Sequence, residues 1–139
     1  MKFLLDTCVV SELQRKRPNA RVHAAVSALR ASDLFLSVVT LGELTKGIAL
    51  LSRGKKKTAI EDWLVALESE CANRILPIDA ETARIWGELS ARAQKAGKPI
   101  PTADGLIAAT AIRRGLQVMT RNTSDFRETR AVIVNPWDR

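Results

Sequence analysis

Five short apolar runs, of three to five residues each, recur along this chain of 139 residues, and stretches with a helical period fill the intervals. The runs are 3–5, 34–38, 74–78, 117–120 and 131–134. They are too short for helices and have the length of buried strands. Between them, Val22, Ala25, Val26 and Leu29 share one helical face, as do Ile60, Trp63, Leu64 and Leu67, and then Ile85, Trp86, Leu89 and Ala93. The segment 103–112 is apolar nearly all round, which marks the most buried helix. Strands that alternate with helices predict an α/β sandwich: a central, mostly parallel five-stranded sheet between two helical layers. Two helical patterns, 40–51 and 57–71, fall between the second and third strands and are expected to project as a hairpin. The polar turn between them, Ser52-Arg53-Gly54-Lys55-Lys56-Lys57, holds four cations.

A chain of this length fits one domain, residues 1–139, and buries about two thirds of its unfolded surface without disulfides. Its apolar share of 46% is that of an ordinary soluble globular protein, and only 4% of its residues are aromatic. Cys8 and Cys71 are too few and too far apart for a zinc cluster, and are expected to be buried free thiols of a cytoplasmic protein. Asp6 interrupts the apolar start of the chain, which therefore reads as a strand rather than a leader. No apolar run approaches the roughly 20 residues of a membrane span.

Lys and Arg outnumber Asp and Glu by 22 to 15, giving a net charge of +7. Such a surface favours polyanions, nucleic acid first. Against that background the positions of a few acids carry the information. Asp6 follows the first strand, Glu43 lies early in the helix after the second, and Asp125 comes just after the fourth. Asp104 opens the buried helix. In a parallel sheet the strand C-termini share one edge, where ligands bind at the topological switch point. Asp104 joins the other three only if its helix begins at that edge.

Each acid also has a plain structural explanation. Thr40-Leu41-Gly42-Glu43 matches a capping box and Asn122-Thr123-Ser124-Asp125 resembles one. Asp6 can cap a helix, and Asp104 can complement a helix dipole. Together these explanations still place four negative charges around one crevice of a basic protein. Two carboxylates ~5 Å apart repel by about 3 kcal/mol at an effective dielectric of ~20. A cluster of them must therefore keep protons or hold divalent cations. All-oxygen ligands are those preferred by Mg²⁺ or Mn²⁺. An acidic, metal-filled pocket on a basic surface suits a phosphodiesterase acting on a long polyanion. The single His, His23, lies beside an amphipathic stripe distant in sequence from the acids, which argues against a histidine-based mechanism. No glycine-rich phosphate loop follows a strand. A phospho-acceptor domain of flavodoxin-like fold would need an acidic pair before Asp6. A non-catalytic nucleic-acid-binding module would leave the acids unexplained.

At these residues the chain resembles PIN-domain nucleases, specifically the toxins of VapBC and FitAB-type toxin–antitoxin pairs. The resemblance runs through Leu4-Leu5-Asp6-Thr7-Cys8-Val9-Val10-Ser11-Glu12-Leu13 and Thr40-Leu41-Gly42-Glu43-Leu44-Thr45-Lys46-Gly47-Ile48. It continues in Pro101-Thr102-Ala103-Asp104-Gly105-Leu106-Ile107-Ala108-Ala109-Thr110-Ala111, then Thr120-Arg121-Asn122-Thr123-Ser124-Asp125-Phe126, and ends with Asn135-Pro136-Trp137. It implies a PIN-like three-layer sandwich and an endoribonuclease dependent on Mg²⁺ or Mn²⁺. Asp6 and Asp104 would be direct ligands, while Glu43 and Asp125 would complete the metal's surroundings or orient the attacking water. Thr7 and Asn122 match polar supporting positions. The resemblance further implies a homodimer and a small antitoxin that covers the acidic pocket and alone touches DNA. Electrostatics adds that such a partner would place an Arg or Lys among the acids. Arg53, Lys55, Lys56 and Lys57 are candidate RNA contacts. Cys8 departs from the pattern, since many relatives carry Asn or a small residue there.

Overall fold

The computed structural model describes residues 1–138. In chain order the elements are β1 (Phe3–Leu5), α1 (Thr7–Leu13), α2 (Ala20–Ser27), β2 (Leu34–Ser37), α3 (Val38–Ala49), α4 (Lys55–Glu70) and β3 (Ile75–Leu76). There follow α5 (Ala80–Lys95), α6 (Thr102–Arg114), β4 (Gln117–Met119), α7 (Thr123–Phe126) and β5 (Ile133–Val134). The strands form one five-stranded sheet in the order β3-β2-β1-β4-β5, and every neighbouring pair is parallel. The chain builds outward from β1 to β2 and β3, then crosses to β4 and β5. The switch point of the topology therefore lies between β1 and β4.

The strand side chains alternate between two cores, as the pleat requires. Phe3 and Leu5 of β1, Leu36 of β2 and Met119 of β4 face Val9, Val10, Val22 and Leu44 from α1, α2 and α3. Leu4, Leu76 and Val118 face the other way, onto Ile107, Ala108 and Ala111 of α6 and Phe126 of α7. These two faces make the sandwich expected from the sequence. Burying an aliphatic or phenyl side chain fully is worth roughly 1.5–3 kcal/mol, and the short strands depend on both layers for stability. Helix α6 carries the longest buried face, as its all-round apolar pattern predicts. It lies close against α5, and Gly105 permits the approach: a Cβ there would meet Cδ1 and Nε1 of Trp86, both at 3.0 Å.

The sequence reading needs correction at several boundaries. Apart from β1, the strands are shorter than their apolar runs: Val38 already belongs to α3, and Pro77 has no N–H to donate to the ladder. Helix α1 gave no periodic signal, because its seven residues hold only one short apolar cluster. Ser37 caps α3, its Oγ accepting from Val39 N at 3.0 Å, so Thr40 and Glu43 lie inside the helix and form no capping box. Asn122 stands at the start of α7 without a side-chain bond to the backbone. Lys55, Lys56 and Lys57 are the first turn of α4 rather than a turn between helices. Helix α4 has no fully buried residue and is held to the first core by Trp63, Leu64 and Leu67. Both cysteines are free, but each is half-buried rather than buried. His23 is exposed on α2. No helix among the described residues is long and apolar enough to cross a membrane.

Candidate active site

Asp6 is the first residue beyond β1 and the cap of α1, and only 2% of its surface is exposed. Its carboxylate is held from several sides. Oδ1 accepts from Thr7 N at 2.8 Å, and Oδ2 accepts from Thr120 Oγ1 at 2.7 Å. Cys8 Sγ adds a weak donor at 3.6 Å from Oδ2. Thr120 is itself fully buried and oriented: its Oγ1 accepts from Asn122 N at 3.0 Å, which turns its own proton toward Asp6. The Asp6–Thr120 bond spans the switch point. Since Leu5 pairs with Met119, the residues after β1 and β4 are neighbours at the sheet edge. Burial pushes the Asp6 carboxyl above its ordinary pKa, the three donors pull it down, and the charge of Glu43 raises it further.

Glu43 reaches the same edge from α3. Its Oε1 accepts from Thr7 Oγ1 at 2.6 Å, and that hydroxyl also lies 3.1 Å from Thr40 Oγ1. Thr7 thus joins the two acids, its backbone bonding Asp6 and its side chain Glu43. Asp104, in the first turn of α6, feels all of them. Its pKa is pushed up to about 7, first by burial, then by the charges of Asp6, Asp125 and Glu43, and by a hydrogen bond with Asp125 that favours its protonated form. The beginning of α6 therefore lies at the strand C-termini, the condition on which the sequence reading depended. Asp125 arrives in the first turn of α7.

All four acids named from the sequence are thus brought into one electrostatic neighbourhood, and Thr7 supports two of them. Asn122 contributes through its backbone N–H to Thr120. Sequence reasoning missed Thr120 and Thr40, two buried hydroxyls, and the bond from Cys8 to Asp6. The signal for Thr120 was its place just beyond an apolar strand, which becomes informative once β4 is known to lie beside β1.

Among the described residues no three His, Cys, Asp or Glu side chains close on one point as a preformed metal cage. The donor set still fits a hard divalent cation. It is built on carboxylates and hydroxyls, and Mg²⁺ is commonly held by one or two carboxylates while keeping several waters. Burial is the main cause of the raised Asp104 pKa, and the charges of Asp6, Asp125 and Glu43 add to it; a cation would relieve that added repulsion. A groove of about 300 Å³ runs from Thr7 and Glu43 between α3 and α4, floored by Leu44, Ile48, Leu51, Ile60 and Trp63 and bordered by Lys56.

Comparison with known proteins agrees with this fold. Residues 3–132 match the model of the PIN domain. The chain is 43% identical over 136 residues to Toxin FitB of Neisseria gonorrhoeae, covering 97% of this chain and 98% of that protein. It is 40% identical over 140 residues to VapC ribonuclease Y4jK of Sinorhizobium fredii, covering 98% of both. A crystal structure of FitAcB from Neisseria gonorrhoeae superposes with a TM-score of 0.93 at 42% identity over 99% of each chain. With its parallel sheet, the acids gathered at the switch point, and this likeness from end to end, the chain belongs to the PIN-domain family, in the branch of the FitB and VapC toxins.

Proposed function

We propose that this protein is a divalent-metal-dependent endoribonuclease, a single catalytic domain over residues 1–139 that acts as the toxin of a toxin–antitoxin pair. The observation that carries the reading is the convergence of Asp6, Glu43, Asp104 and Asp125 on a chain with a net charge of +7. Relatives named VapC ribonuclease and tRNA(fMet)-specific endonuclease support it. Asp6 and Asp104 would hold Mg²⁺ or Mn²⁺, with Glu43 and Asp125 completing the set or orienting the water. When bound, the cation neutralises phosphate charge and lowers the pKa of a coordinated water. The protein's own part is to fix the acids. Thr120 and Thr7 N hold Asp6, and the Thr7 hydroxyl holds Glu43 toward the substrate side. Hydrolysis then adds water at phosphorus and expels one ester oxygen of the RNA backbone.

The same geometry supports an antitoxin partner. Similar solved structures include FitAB bound to a DNA fragment and a VapBC complex from Salmonella typhimurium bound to DNA. A partner segment would lay apolar side chains against Leu44, Ile48 and Trp63, and place an Arg or Lys among the carboxylates, where a planar guanidinium bonds two at once. DNA contact would come through that partner. A homodimer working in the cytoplasm completes the reading.

The decisive experiment is cleavage of RNA by the purified protein with Mg²⁺ or Mn²⁺. Asp6→Asn and Asp104→Asn should each lower the rate by orders of magnitude while leaving the fold intact. Full activity in excess chelator would reject the metal dependence. Binding of RNA without cleavage under every metal condition would leave a non-catalytic module.

A further inference from the structure

A second groove, of about 870 Å³, lies between the loop after α1 and the beginning of α4. Its walls carry five cations from two separate segments: Arg15, Lys16 and Arg17 on one side, Lys55 and Lys56 on the other. Gln14, Lys56 and Ile60 line this groove and also the smaller one that holds Thr7 and Glu43, so the two adjoin.

The loop wall is a built feature. Buried Glu12 accepts from Asn19 N at 2.8 Å and pairs with Arg15 at 3.3 Å, which fixes both ends of the segment. Arg15 is thereby committed to Glu12. Among the described residues Lys16, Arg17, Lys55 and Lys56 form no salt bridge, and all four are exposed. The α4 wall breaks a local rule. Three lysines in the first turn of a helix oppose its dipole, which favours acids there, and no acid offsets them in that turn. Local rules broken at one point mark functional sites. The N–H groups at a helix start add to a field that attracts phosphate. The flanking cations differ from Lys55 and Lys56: Lys57 donates to Leu51 O at 3.4 Å, closing the α3–α4 connection, and Arg53 does not line the groove.

We propose that this groove is a phosphate-binding subsite, distinct from the acids, that holds the nucleotides flanking the scissile bond of a single-stranded RNA. Lys16, Arg17, Lys55 and Lys56 bind the backbone, and the chain passes Lys56 to reach Thr7 and Glu43. The inference rests on the nuclease reading above but assigns a different set of residues. It also divides the basic cluster: Lys55 and Lys56 touch RNA, whereas Arg53 and Lys57 do not.

The test uses two readouts. Binding of a labelled oligouridylate is measured against salt in the Asp104→Asn background, which removes cleavage. The combined change Lys16→Ala, Arg17→Ala, Lys55→Ala, Lys56→Ala should weaken binding and flatten the logarithmic salt dependence by about 2 to 3 units, given about 0.7 per phosphate contact on single strands. Arg53→Ala with Lys57→Ala should leave that slope unchanged. In the otherwise wild-type chain, the fourfold variant should raise KM for a long RNA while cleavage of a dinucleotide is unaffected. An unchanged salt slope, with thermal unfolding showing the variant folded, overturns the subsite even if the wild type cleaves RNA. A lost slope with no cleavage by the wild type keeps the subsite and rejects the nuclease. If the fourfold variant binds RNA normally but loses an acidic antitoxin peptide, the groove belongs to the partner and the proposal fails.

Discussion

The acidic crevice and the basic groove beside it are held in opposite ways. Asp6 is nearly inaccessible and receives three hydrogen bonds, one from a threonine that is itself buried and oriented. The free cations of the groove, Lys16, Arg17, Lys55 and Lys56, stand in solvent on long side chains, and on the loop side it is the segment beneath them that is fixed. Grouped carboxylates repel, so they stay together only where packing and donors constrain them. Cations that follow a flexible polyanion need only be in reach, since backbone phosphate contacts carry charge rather than sequence information. One part of the molecule is therefore sensitive to ångström-scale changes, and the other to charge and salt.

That contrast is breakable first at Thr120. Replacement by Val keeps the shape and removes the proton donated to Asp6. Metal sites typically lose about 10–100-fold when such a supporting bond is removed. A comparable fall in kcat, rescued in part by higher Mn²⁺, is the expected outcome. Serine at 120 should keep most of the rate, and a silent Thr120→Val would mean that packing alone positions Asp6.

A somewhat smaller effect is expected from Gly105→Ala, which probes the stiffness beneath Asp104. The new methyl would meet both Cδ1 and Nε1 of Trp86 at 3.0 Å, so the indole edge must give way by a few tenths of an ångström. Overpacking of this kind costs about 1–3 kcal/mol. Thermal unfolding should show the loss, together with reduced cleavage as α6 shifts. The groove's salt dependence should not change, and if it does the two regions are less independent than they look.

The remaining test concerns stability against pH. The Asp104 carboxyl rises from 3.8 to about 7 on folding, and Asp6 is raised as well. A raised carboxyl favours the folded state most when protonated, below its unfolded value. Its contribution is lost as pH climbs through the folded one. In chelator, the melting temperature should therefore fall as pH goes from 4 to 7, and Mg²⁺ should flatten that fall by binding the charged site. A metal-free protein that melts at the same temperature across this range would show that the acids relax apart in solution.

Much of this arrangement was legible in the sequence, for identifiable reasons. Strands announce themselves by apolar runs, and Asp6, which ends such a run, had to lie at a sheet edge. The all-round apolar pattern of 103–112 marked α6 and so placed Asp104 at a helix start. What was hidden depends on strand order, which no local pattern encodes. Thr120 matters because β4 lies beside β1, although it stands 114 positions from Asp6 in the sequence. The lysines at 55–57 read as a turn because helix starts rarely hold three cations, and propensity could not foresee that the tertiary fold would keep them there. Likewise Arg15, Lys16 and Arg17 drew no attention until α4 was found opposite them.

The double duty of Asp6 bears on how such a gene can decay. The side chain that would bind the metal also bonds the first backbone N–H of α1. Asn, Ser and Thr can keep such a bond, whereas Ala at a helix cap costs typically about 1 kcal/mol. If the protein poisons its host as proposed, selection for survivors that have escaped it will sample both kinds of change. Survivors mutated at position 6 to Asn should still accumulate folded protein able to sequester the antitoxin. Those with larger apolar residues there should be cleared by proteolysis, which frees the antitoxin. One site would thus yield two inheritable outcomes, a silent decoy or a lost gene product, sorted by whether the replacement can still accept a hydrogen bond.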